Sequence, residues 1–213
     1  FSKQARLALP DLEIVLMDTP GHVDFSAEME RTLQVLDYAV LVISGTDGVQ
    51  SHTETLWQLL RRYRIPTFIF VNKMDLVGAD KPVLLQDLQR RLSAGCVDMD
   101  LPEEARNEAL SLCDEGLLEQ YLEQGNLPRE AVADAIARRA VFPCRFGAAL
   151  KRQGVAEFLR ILDTFAPETA PDGAFGARVY KISRDNQGNR LTWLKVTGGT
   201  LKVRMAIPLG EKE

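Results

Sequence analysis

Four short apolar runs, each leading into a polar loop and then a helical stretch, confine this chain to one broad architecture. The runs are Ile14–Met17, Tyr38–Ile43, Thr67–Val71 and Val141–Phe146. Each is almost continuously apolar, the pattern of a strand covered on both faces. Between them the period changes. From Ser26 to Leu36, the apolar residues Met29, Leu33 and Leu36 recur at three- and four-residue steps. After the turn Gly45-Thr-Asp-Gly48, Ser51-His-Thr-Glu54 has capping-box spacing and opens a helix with Leu56, Leu59, Leu60 and Tyr63 on one face. His52, at that helix start, reads as a surface residue. Pro66 ends the helix. Residues 81–94, 102–124 and 128–140 read as further helices, and Gly154 to Phe165 as a last one. Residues 1–10 alternate in polarity and pair economically with 12–18 as a hairpin. Strands alternating with helices imply an α/β fold, a mainly parallel sheet with helices on both faces.

The composition shifts at Ala166-Pro-Glu-Thr-Ala-Pro-Asp-Gly173, which reads as a linker over 166–174. Beyond it the period is two. Residues 177–182, 190–197 and 200–206 are expected strands, joined by Asp185–Asn189 and by Gly198-Gly199. They look like the start of a β-barrel domain over 175–213. A hydrophobic content of 46% and a charged content of 26% suit a globular chain. The net charge of -4 argues against a generally basic nucleic-acid binder, such as one for DNA, and leaves a local RNA-binding patch open. Cys96, Cys113 and Cys144 have neither a zinc spacing nor even pairing, which suits reduced thiols packed as small hydrophobes. The apolar runs are far too short to cross a bilayer, and the N-terminus has no signal-peptide core, so a cytoplasmic protein without membrane contact is expected.

Loops at the carboxyl ends of strands are where such sheets place ligands. The first run opens into Asp18-Thr19-Pro20-Gly21-His22-Val23-Asp24-Phe25. Asp18 can hold a metal, and Gly21 lets a backbone N–H approach an anion closely. Asp-x-x-Gly alone is a common turn; the octet is far more specific. The third run opens into Asn72-Lys73-Met74-Asp75, and the fourth into Phe146-Gly147-Ala148-Ala149-Leu150-Lys151.

Together these strings resemble the GTPases of the translation-factor family. The octet, Gly48-Val49-Gln50, Ile65-Pro66-Thr67 and Asn72–Asp75 are similar to elongation factor G and its relatives. Glu115–Tyr121, Phe142–Val155, Arg178–Ile182 and Arg190-Leu191 lean toward the ribosomal-protection branch of tetracycline-resistance GTPases. The resemblance implies a P-loop-type GTPase domain over 1–165 with a helical insertion at about 77–140, followed by the linker and the partial barrel. It implies GTP and GDP as ligands, Mg2+ as cofactor and the ribosome, rRNA and ribosomal proteins, as partner. Asp18 would hold Mg2+ through water, Gly21 would meet the γ phosphate, and His22 would orient the attacking water.

Guanine presents N1–H and the 2-amino group side by side, and the Asp75 carboxylate can accept both; adenine lacks that pair of donors. A charged acceptor makes such bonds roughly twice as strong as neutral ones. The stem of Lys73 can cover the base, and Asn72 can tie its loop to a neighbour. In the family the second base contact comes from the loop at Gly147, Ala148, Ala149 and Leu150, where a backbone N–H, that of Ala149, meets the guanine carbonyl. Ala148 stands where the family has serine, so a bracing hydroxyl is lost.

The phosphate cradle G-x-x-x-x-G-K-[ST] does not occur in the sequence, nor does the threonine loop that closes over magnesium in this family. In the family the cradle follows a strand lying between the strands at 12–18 and 38–44. The natural protein is therefore expected to extend upstream of Phe1 and downstream of Glu213, and this segment alone to be inactive. The alternative is a module that binds guanine nucleotide or a protein partner without turnover.

Overall fold

The computed structural model describes residues 3–19, 27–167 and 173–206. These divide into two compact units, one built from residues 1–23 and 36–168, the other from 24–35 and 169–213.

In the first unit β1 (Lys3–Ala8) and β2 (Glu13–Asp18) form the expected antiparallel hairpin, with Ala5 opposite Leu16 and Leu7 opposite Ile14. A separate parallel sheet has the order β3-β4-β6-β5, from β3 (Ala39–Ser44), β4 (Thr67–Asn72), β5 (Cys96–Asp98) and β6 (Phe142–Phe146). The continuous apolar character of β4 has the cause expected of it. Phe68 and Phe70 pack against Phe158 and Leu162 of α7 (Val155–Phe165) on one face. Ile69 and Val71 pack on the other face with Trp57 of α2 (Ser51–Arg62) and with Leu84 and Leu88 of α3 (Lys81–Arg91). Strand β4 is thus covered on both sides. The two-sided cover expected of the other apolar runs is not general: β3, at the edge of the sheet, buries Leu41 and Ile43 and leaves Val40 and Val42 exposed, and β2, in the separate hairpin, leaves Val15 and Leu16 exposed.

Three local expectations change. Helix α2 starts one residue earlier than the Ser51/Glu54 box implied. Gln50 is the N-cap and its N–H donates to Thr53 Oγ1 at 3.4 Å, while Glu54 accepts from Arg91 Nε at 2.9 Å. The single helix read over 102–124 is two, α4 (Glu103–Ser111) and α5 (Glu115–Gln124). Asp114 breaks it, because its carboxylate accepts from the N–H groups of Gly116 and Leu117 and caps a fresh start. The stretch at about 77–140, expected as a helical insertion, is also not wholly helical: it contains α6 (Arg129–Ala137) and the helices before it, but β5 joins the main sheet at its edge.

The second unit contains α1 (Ala27–Leu33) and the antiparallel ribbon of β7 (Gly176–Arg184) and β8 (Arg190–Gly198). Cations from the ribbon satisfy carbonyls just past the end of α1. Arg178 Nη1 donates to the Gln34 carbonyl at 2.6 Å and Lys195 Nζ to that of Val35 at 3.0 Å. The β7–β8 turn is organised by Asp185, whose Oδ1 accepts from the N–H groups of Gln187 and Asn189 at 2.8 Å. The strand expected at 200–206 is not formed: Gly199 and Arg204 both have positive φ, 57° and 63°, which bends the chain out of extended conformation.

All three cysteines are free thiols, with Cys96 and Cys144 fully buried. Burial raises the Cys113 pKa to about 11, with the neighbouring Cys96 and Asp114 adding to it. Among the described residues no helix is long and apolar enough to cross a membrane.

Candidate functional site

Strands β4 and β6 are parallel neighbours, with Val71 opposite Phe146, so the loops that follow them leave the sheet side by side. The backbone ties them at once. Gly147 N–H donates to the Val71 carbonyl at 2.9 Å, and Met74 N–H returns a bond to the Gly147 carbonyl at 3.0 Å. Asn72 makes the next tie with its side chain. Its Oδ1 accepts from the N–H of Lys73 and from that of Ala149, both at 2.8 Å. Lys73 is held in the left-handed region at φ 65°, a strained conformation for a residue with a side chain, and that bond supports it.

The Gly147 loop is closed on itself. Ala148 N–H donates to the Gln153 carbonyl at 3.0 Å and Gln153 N–H to the Ala148 carbonyl at 3.1 Å, around a 3-10 turn over Ala149–Lys151. Ala148 is buried, whereas the Leu150 side chain stands fully in solvent. Gly147 admits no substituent, since a Cβ there would overlap the Gln153 carbonyl and stand 2.8 Å from Phe70 Cζ. Gly147→Ala is therefore expected to force backbone apart and destabilise the protein by about 1–3 kcal/mol, read as a lowered thermal midpoint.

Lys151, on the tip of this loop, reaches back to Asp75: Nζ lies 2.8 Å from Oδ2, and the Asp75 side chain is 20% exposed. The Lys151 hydrogen bond, aided by the Asp75 backbone N–H, holds the carboxyl below its ordinary pKa. A lowered pKa means the pair contributes fully above the usual carboxylate range and is lost as pH falls through the lowered value. At neutral pH Asp75 is an anion presented to solvent.

Two of these features carry no signal in the motif strings. Gly45 packs against the far side of the Asn72 loop, its N–H donating to the Asn72 carbonyl at 2.7 Å. A Cβ on Gly45 would stand 2.8 Å from Met74 Sδ, the end of a flexible side chain, and 3.0 Å from the Asn72 carbonyl, so glycine gives the approach without a shift. Lys151 is visible in sequence as one more loop residue, without a role. The Ala149 amide, expected to meet a guanine carbonyl, is instead engaged by Asn72 in this structure. His52 is exposed, as expected.

Asp18 is the last residue of β2 and is exposed. Gly21 and His22 lie outside the described residues. An open groove of about 430 Å³ runs beside the Gly45–Gly48 turn, lined by Asp47, Asp80, Asp87 and Arg90 among others, and contains none of the expected site residues.

Residues 2–168 match the family model described as the elongation factor Tu GTP binding domain. The chain belongs to this GTP-binding domain family. Among curated relatives, an oxytetracycline resistance protein of Streptomyces rimosus is 34% identical over 98% of the chain and 36% of its own length. The tetracycline resistance protein TetW of Butyrivibrio fibrisolvens is 34% identical over 94% of the chain and 34% of its own length. TetO of Streptococcus pneumoniae is 29% identical over 95% and 35%. A crystal structure of a protein from Thermus thermophilus superposes with a TM-score of 0.76 at 25% identity, covering 94% of this chain and 38% of that one. The chain thus spans about a third of the length of the curated relatives it matches.

Proposed function

We propose that this chain is the guanine-recognising part of a protein that hydrolyses GTP on the ribosome. The observation that carries this reading is the tie between the two loops. Asn72 Oδ1 joins Ala149 to its own loop at 2.8 Å, and the anionic Asp75 stands at the rim of the wall so made. A rigid anion that can accept two adjacent donors is what guanine recognition asks for, and Lys73 and Leu150, both exposed beside it, are available to cover the flat faces of the base. The loop of Gly147, Ala148, Ala149 and Leu150 forms the second half of this base site.

The phosphate end is assigned to Asp18, Gly21 and His22. Mg2+, when bound, neutralises charge on the β and γ phosphate oxygens. An exposed carboxylate at a strand end is a hard oxygen donor of the kind Mg2+ takes, with water completing the shell, so Asp18 fits that role. Gly21 would offer its amide to the γ phosphate, and His22 would hold the attacking water by accepting or donating a hydrogen bond. Family membership favours turnover over the alternative of a passive binding module. The names of the relatives extend the proposal to tetracycline resistance; the ribosome as partner and the cytoplasm as the place of action follow from the resemblance to translation-factor GTPases.

Calorimetric titration of the intact protein with GDP, GTP and ATP tests the reading, together with GTP hydrolysis measured with and without ribosomes. GDP and GTP should bind, ATP should not, and ribosomes should accelerate hydrolysis. Binding of ATP as tight as that of GTP would overturn it.

A further inference from the structure

We infer that Lys151 is a positioning residue for base recognition, fixing the Asp75 carboxylate at the angle that accepts two adjacent donors. The inference rests on the guanine reading above and adds a residue to it.

The two loops are joined at their root by uncharged bonds, Gly147 to Val71, Met74 to Gly147 and Ala149 to Asn72. None of these touches the carboxylate. A free aspartate rotates about its terminal bond over a broad range. Beside the bond from its own backbone N–H, Lys151 is the side chain that restrains it, with Nζ 2.8 Å from Oδ2. Its backbone is itself fixed, since Lys151 N–H donates to the Ala148 carbonyl at 3.0 Å inside the loop closed by the Ala148–Gln153 bridge. Ala148 brings no hydroxyl that could share the task.

The restraint is compatible with a bound base. A carboxylate has about four lone-pair sites. The ammonium occupies one on Oδ2, and two neighbouring donors of a base need one on each oxygen, so the three bonds fit within the sites on offer. The base can dock without displacing Lys151. A base with one donor, such as hypoxanthine, which lacks the 2-amino group, tolerates a rotated carboxylate better than guanine does. Loss of Lys151 should therefore reduce guanine binding more than hypoxanthine binding.

The test is equilibrium binding of GDP and of inosine diphosphate to the intact protein and to its Lys151→Met and Lys151→Arg variants. Lys151 is 57% exposed and its pair with Asp75 is a weak surface contribution, so the variants should stay folded with a thermal midpoint within a few degrees of the parent. For Lys151→Met, GDP affinity should fall about fivefold, with the GDP-to-inosine-diphosphate preference falling by a similar factor, and Lys151→Arg should restore most of both. An unchanged or tighter GDP affinity, or an equal loss for both nucleotides, overturns the positioning role. Failure of the guanine reading itself is distinct: the unaltered protein would then bind ADP as well as GDP.

Discussion

Replacing Asp75 by asparagine is expected to exchange the preferred base from guanine to xanthine. The carboxylate presents two acceptors at the rim of the Asn72–Asp75 loop, with its side chain 20% exposed and held by Lys151 at 2.8 Å. An amide offers one acceptor and one donor. It would face the N1–H of guanine correctly and then set its NH2 against the 2-amino group, donor against donor. Xanthine carries a carbonyl at that position and completes the pair. A polar site left with an unmatched buried group discriminates strongly, so GTP affinity should fall on the order of 10² to 10⁴-fold while xanthosine triphosphate gains. Competition of the two nucleotides against a fluorescent GDP analogue measures it. Unchanged competition would remove Asp75 from base recognition.

The second large effect is expected at His22. His22→Ala should leave GTP and GDP affinity within a few-fold of the parent and abolish ribosome-stimulated hydrolysis. A group that orients the attacking water acts only as the transition state forms, so its removal lowers turnover and leaves ground-state binding almost intact. Single-turnover hydrolysis with ribosomes, alongside equilibrium binding, separates the two quantities. Retained stimulation would assign the water to another residue, and a collapse of affinity would make His22 part of the binding surface.

The parts of the fold that were legible in the sequence are those whose signal is local. Strands β4 and β6 were read from continuous apolar runs, because a strand buried on both faces leaves little room for polar residues; β3 gave the same signal although its Val40 and Val42 face is exposed. Strand β5 escaped because it is only three residues long and includes Asp98. That carboxylate is buried at 4% exposure, paired with Lys81 Nζ at 2.7 Å, so a charge that suggests surface is tolerated inside. The break at Asp114 escaped because helical periodicity continues across it in phase. The ribbon β7–β8 was read from its period of two, but the third strand was not formed, since two positive-φ residues near it were not foreseeable from propensity.

The candidate site divides in the same way. Asn72–Asp75 and Gly147–Leu150 stood out as strings placed directly after apolar runs. Their mutual ties were only half legible. Asn72 as a loop tie follows from its carboxamide, but its choice of the Ala149 amide depends on how the second loop closes. The reach of Lys151 to Asp75 depends on the Ala148–Gln153 bridge, a contact with no trace in spacing. The octet was the most specific string of all, and the described part of it stops at Thr19.

The edge position of β5 bears on how this domain could be shortened. Phe142 N–H bonds to the Gly95 carbonyl and Met99 N–H to that of Cys144, at 2.8 and 2.9 Å, so the stretch between the two base-side loops is stitched into β6 along its length. Val97 and Met99 are also buried among the same side chains as Phe70 and Phe158. An engineer trimming this stretch down to a bare connector would uncover a raw hydrogen-bonding margin right beneath Gly147, and the minimal protein would be prone to sticking to its own copies there.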